Sequence, residues 1–195
     1  MAITTENIKK LREQTGVGIM DAKTALKNND GDFTKAIDYL KKQGQKVAEK
    51  KQDRKTKEGA IGYYIHANHK VAALVALACE SDFVANTDDF RDLAHDLAMQ
   101  VAATDPTYIS PKDVPAEIIG KEKEIYSAQL KKDKKPDNII DKIIKGKLDK
   151  FYSEVCLIKQ PFIKEDKKTI EDIINEKILK LGENIQIKEI KKMSL

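Results

Sequence analysis

His66, His69 and Cys79 are residue types that bind zinc, and they fall within one short span. A zinc site needs thiolate and imidazole ligands converging on one point. Residues 70–79, KVAALVALAC, are apolar almost throughout and read as a buried strand, with Val, Leu and Ala filling both faces. The histidines sit at the turn before it. At about 3.3 Å per residue, Cys79 stands about 26 Å from that turn, so the ligands cannot converge. Cys79 and Cys156 have no paired spacing and read as small buried hydrophobes. There is no G-x-S-x-G nucleophile segment and no glycine loop to cradle a phosphate. The acidic residues read as surface charge. His66 ends a strand, where a structural role is the simplest reading; His95 falls between apolar helix positions and reads as surface. The residues therefore assign no catalytic group, metal ligand or cofactor, and the chain reads as not an enzyme.

One other stretch could act: residues 79–86, CESDFVAN, between the apolar strand and a following helix. An acid beside a large aromatic presents a charge and a wedge from one backbone position. Loops on a rigid scaffold often carry function. Taken alone, Asp82 and Phe83 have a blander reading, in which Phe83 folds back into the core and Asp82 shapes the turn, since large apolar residues are mostly buried.

The elements around this stretch follow from periodicity. Residues 1–44 predict a three-helix module. Ile8 and Leu11 mark the first helix, and the glycines at 16 and 18 stop it. Met20, Ala22, Ala25 and Leu26 mark the second. Asp32 caps the third, which carries Phe33, Ala36, Ile37 and Leu40 and is expected to stop at Gly44. Residues 45–58 are nearly all charged or polar and read as a linker, partly helical at most. Residues 59–195 form the core domain. Ile61, Tyr63 and Ile65 alternate on one strand face, a turn at 67–70 contains Asn68, which tolerates the left-handed region, and a β-hairpin results. Residues 88–103 predict a helix, and 115–155 a helical hairpin whose tip, 131–136, is too charged to bury. Residues 160–162 read as a loop. Thr169 caps a helix that Gly182 stops. Residues 184–191 predict a last strand paired with the hairpin, with a bulge or strand end near Ile190. The fold class is α+β: a small antiparallel sheet faced by helices, after a helical head.

Composition bounds the partners. The 195 residues are 41% hydrophobic and 35% charged, with net charge +4. No apolar run reaches membrane-spanning length, and the N-terminus lacks a signal-peptide core, so a cytoplasmic protein with no membrane partner is expected. Only Arg12, Arg54 and Arg91 are arginine. Phosphate and guanine recognition favours arginine, so no direct nucleic-acid partner is expected. RNA binding stands as a third reading, to be tested by its salt dependence.

Taken together, the ordered motifs resemble the bacterial elongation factor Ts family. They are Leu11 to Lys23 (LREQTGVGIMDAK), Tyr64-Ile65-His66, Ser81 to Ala85 (SDFVA), Gln160-Pro161-Phe162 and Gly182 to Ile185 (GENI), spanning nearly the whole chain. The resemblance implies a ubiquitin-associated-like head, a core with a three-stranded antiparallel sheet, and a helical hairpin. It implies guanine-nucleotide exchange on elongation factor Tu, bound both with GDP and nucleotide-free, with no cofactor. It reverses the bland reading: Ser81, Asp82, Phe83 and Val84 match the segment that enters the partner's G domain and disturbs its magnesium and phosphate region. Val17, Ile19, Met20 and Lys23 match the head's contact segment, and His66 is a weaker contact near Asp82 and Phe83. The chain departs from the family pattern at Ser81 (usually threonine), Ala76 and Ala78 (usually glutamate and asparagine) and His69 (usually glycine). It holds one D-F-V segment and one hairpin, so it resembles the short form, whose members are expected to pair as homodimers. The alternative is a non-exchanging adaptor that binds a partner through the helical head.

Overall fold

The hairpin at the centre of the fold pairs antiparallel from Glu58↔Cys79 to Ile65↔Ala72 in the computed structural model, which describes residues 3–132 and 137–195. Its strands are β1 (Glu58–Ile65) and β2 (Val71–Cys79). Three helices precede them: α1 (Thr5–Thr15), α2 (Ile19–Lys27) and α3 (Phe33–Lys51). After them come α4 (Asp82–Ala85), α5 (Asp88–Thr104), α6 (Ala116–Lys132) and α7 (Asp137–Val155). Then follow β3 (Pro161–Phe162), β4 (Glu165–Thr169), α8 (Ile170–Leu181) and β5 (Gln186–Ser194). The α+β class and the paired helices α6 and α7 match expectation. Residues 133–136 of the expected charged tip lie outside the described residues, as do the side chains of Lys131 and Ile139.

The sheet order is β1-β2-β5, antiparallel throughout, with β2 in the middle. Ala73, Val75, Leu77 and Cys79 of β2 are buried against Phe90, Leu93, Leu97 and Val101 of α5. Alternation sends every second residue the other way. Helix α5 covers only one side, so Leu74 is exposed and Ala72 and Ala76 are half-buried. The reading of β2 as buried on both faces is thus corrected: in the single chain one face is open. Close packing of β1 on α5 depends on Gly62, where an added Cβ would come within 2.0 Å of the Ala94 carbonyl oxygen.

Strand β5 contains the expected irregularity, a little earlier than its predicted place. Ala76 faces Glu189 while Leu77 faces Ile187, so Lys188 is the extra residue. This bulge turns Ile187 and Ile190, three apart, toward the same core. The strand then continues to Ser194, beyond the expected end at 191. In the hairpin turn the left-handed residue is His69, at φ 56°, and not Asn68. Asn68 instead accepts the Lys70 amide on its side-chain oxygen at 3.0 Å.

The head has its own core of Leu11, Val17, Ala22, Ala25, Leu26, Ala36 and Leu40. Asp32 caps α3 as expected, accepting from the Lys35 amide at 3.1 Å. The helix does not stop at Gly44. It continues to Lys51, and much of the expected linker is helix. Gly44 is buried where α3 crosses α8, and a Cβ there would lie 3.1 Å from the Asn175 carbonyl oxygen. The glycine permits a close helix contact and does not terminate the helix. Beyond it, Val47 and Ala48 pack on the main core, so α3 belongs to both cores.

The expected loop at 160–162 also holds structure. Pro161 and Phe162 pair with β4. Gln160 is buried, and its side-chain oxygen accepts from Gln100 at 3.2 Å and Thr104 at 2.6 Å. Cys79 and Cys156 are free, buried thiols and His95 is exposed, as expected.

Candidate functional site

At the end of β2 the chain turns and Ser81, in extended geometry, caps the single turn of α4, its Oγ accepting from the Val84 amide at 3.4 Å. Ala85 is buried and Val84 packs on the core, which fixes the inner side of that turn. Thr87 then caps α5, accepting from the Phe90 amide at 3.3 Å. With both ends pinned, Asp82 and Phe83 are left on the outside. Phe83 is 83% exposed, so the bland reading of a core phenylalanine fails.

A brace lies behind the turn. Gly182 ends α8 in the left-handed conformation, and Glu183 points its carboxylate at the root of α4. One oxygen accepts from the Glu80 and Ser81 amides, both at 3.0 Å. The other accepts from Ser81 Oγ at 2.6 Å. Glu80 answers by accepting from the Asn184 amide at 2.7 Å. The buried Asn184 side chain donates to the Gln52 and Arg54 carbonyls, at 3.2 and 2.9 Å, tying in the segment after α3. Beneath, Cys79 Sγ donates to the Ser81 carbonyl at 3.1 Å; burial, and secondarily the Glu183 charge, pushes its pKa up to about 11 and keeps it a thiol. Sequence reasoning assigned no role to Glu183. The available signal was the G-E-N-I motif, whose glycine sets the direction of the next side chain.

His66 does not join this group. It follows Ile65, which pairs with Ala72, whereas Asp82 follows Cys79 at the opposite end of β2. At about 3.3 Å per residue the hairpin separates them by about 26 Å, so His66 is not near Asp82 and Phe83. Its Nδ1 lies 3.2 Å from the Tyr64 hydroxyl.

In the head, Ile19 and Met20 are 58% and 70% exposed, and Lys23, one turn on, is exposed beside them. Val17 is 4% exposed and belongs to the head core, so its side chain is not offered to a partner. A further apolar surface is the open sheet face, where Ile61, Tyr63 and Ile65 stand opposite Ala76, Leu74 and Ala72, with Met193 beside Ala72. Among the described residues, no cluster of His, Cys, Asp or Glu could hold a metal, and no helix is long and apolar enough to cross a membrane.

The sequence model described as Elongation factor TS matches residues 4–181. The chain belongs to the elongation factor Ts family. Elongation factor Ts of Maridesulfovibrio salexigens is 52% identical over 195 residues, covering all of this chain and 95% of that one. That of Thermodesulfovibrio yellowstonii is 52% identical over 188 residues, 96% and 94% of the two chains. That of Thermotoga maritima is 52% identical over 187 residues, 96% and 93%. Relatives of nearly equal length agree with the short form. The activity of this chain, as a member of that family, is nucleotide exchange on elongation factor Tu, in translation in the cytoplasm; it is not an enzyme, and the adaptor reading falls.

Proposed function

We propose that Asp82 and Phe83 are the element by which the chain loosens GDP from elongation factor Tu. The carrying observation is the near-complete exposure of Phe83 on a turn pinned at both ends. Magnesium bridges nucleotide phosphates and is held by few protein ligands and ordered water. A phenyl ring inserted between partner elements displaces whatever holds those ligands, and the Asp82 charge acts beside it. The factor binds the nucleotide-free partner more tightly than the loaded one. By linkage, it weakens nucleotide by the factor by which nucleotide weakens it. No bond is made or broken, so no catalytic residue is required.

Ile19, Met20 and Lys23 form the second contact, an apolar pair with an adjacent cation that docks on the G domain. The open sheet face is covered by a second copy of the chain around a two-fold axis, because its apolar residues lie on the face opposite the core. The test is the rate at which labelled GDP leaves purified elongation factor Tu, with wild-type chain, Phe83→Ala, and a Met20→Ala, Lys23→Glu double variant. Loss of maximal rate in the first and a raised half-saturating concentration in the second are expected. Cutting after residue 44 is a poor test of the head, since it severs α3 where that helix packs on α8.

A further inference from the structure

We propose that Glu183 is the positioning residue of the exchange element: its carboxylate holds the Glu80-Ser81 backbone so that α4 presents Phe83 in one orientation before the partner arrives. The inference rests on the reading of Asp82 and Phe83 given above. A helix of one turn has no stability of its own, because its single turn fixes several backbone torsions for few hydrogen bonds. Phe83 makes no core contact that would hold it. The Ser81 cap is long, at 3.4 Å, and cannot alone define the turn. Packing of Val84 and Ala85 on the core fixes its inner side, and three contacts to Glu183, two from backbone amides and one from Ser81 Oγ, fix where it starts. The brace comes from a residue about a hundred positions away in the chain, held by Gly182 at the end of α8 and by the buried Asn184 on its other side. It is therefore part of the rigid core and not of the turn it orders. An anchor held in its bound geometry loses less entropy on docking.

Length matters for this role, and charge much less. Glutamine has the same reach: its oxygen accepts both amides, and its NH2 donates to Ser81 Oγ. Aspartate keeps the charge and is one methylene short. The experiment is GDP release from elongation factor Tu with full-length Glu183→Asp, Glu183→Gln, Glu183→Ala and Phe83→Ala, with melting curves and amide hydrogen exchange for each. Glu183→Asp and Glu183→Ala should lower the saturating release rate about tenfold, the scale of losing the preorganisation of one anchoring side chain. The half-saturating concentration should change less, since the head still docks. Glu183→Gln should restore the rate to within about twofold, and exchange of the Glu80 and Ser81 amides should accelerate only where release is lost. Should Glu183→Ala fail to fold, the aspartate and glutamine variants still decide. Release lost in Glu183→Gln but kept in Glu183→Asp would overturn positioning in favour of a direct charge effect. Wild-type release in Glu183→Asp, with release lost in Phe83→Ala, would overturn the role of Glu183 and leave the exchange element standing. Full release in Phe83→Ala would remove the element and this inference together.

Discussion

Phe83 and the two cysteines stand at opposite extremes of exposure, and each gives a measurable consequence. Replacing Phe83 by alanine deletes an exposed ring with no core contact, so the melting temperature should stay close to wild type. At a docked hot spot the same change costs on the order of 2 kcal/mol or more, about thirtyfold in binding. Calorimetric titration of nucleotide-free elongation factor Tu reads this directly. Asp82→Asn keeps the shape and removes the charge; it should slow exchange more than it weakens the complex, and raising magnesium should slow the wild type in the same assay. Cys79 and Cys156 are buried, with their thiols pushed up to about 11 by burial, so few thiolates exist at neutral pH. Iodoacetamide at pH 8 should leave both unlabelled in the native chain and modify both in denaturant, as mass spectrometry would show.

Helix α3 shows how an element can be legible in part. Its start was readable because Asp32 precedes a three-and-four apolar spacing. Its end was not, because Gly44 in a polar stretch looks the same whether it stops a helix or admits a neighbouring one; the deciding contact, Asn175, lies far along the chain. Gly44→Val should push α3 and α8 apart and cost about 1–3 kcal/mol, visible as a lower denaturant midpoint. The same distinction runs through the candidate site. The aspartate-phenylalanine turn could be read because it follows an apolar strand, whereas Glu183 could not be assigned, since a brace is defined by what it touches. Likewise Val17 looked like a contact beside its glycines, but the head folds it inward. Another long-range tie joins α5 to α8, where Asp89 accepts from Lys177 and Lys180, both at 2.7 Å. Those hydrogen bonds hold its carboxyl below its usual 3.8, against a smaller opposing effect of burial. A depressed folded value means that the tie contributes fully above pH 3.8 and is lost as pH falls through the folded value. The melting temperature should drop over that acid range, and Asp89→Asn should be less stable at neutral pH while flattening the drop.

At the scale of the whole molecule, the sheet divides the chain into a closed side and an open side. One face of β2 carries the core on α5 and α8, and the other presents Leu74 with Ile61, Tyr63, Ile65 and Met193 around it. Clustered apolar exposure of this kind marks an interaction surface. The Asp82-Phe83 turn is at one end of β2 and the histidine-bearing hairpin turn is at the other. A second copy laid across the open face would therefore leave each Phe83 free at a sheet end, and dimerisation and exchange become separable. Leu74→Glu places a charge at the middle of the open face without touching the buried residues of β2. Light scattering over a dilution series should give a dimer mass for wild type and a monomer mass for Leu74→Glu. The monomer should melt at lower temperature, because the apolar face is then left in water. The two proposed contacts for elongation factor Tu, the head and the Phe83 turn, remain on one chain, so GDP release per chain should persist. A wild type that is monomeric throughout the series, with full exchange, would reject the second copy as the partner of this face. A Leu74→Glu monomer with no exchange would show instead that the dimer itself orders the exchange element.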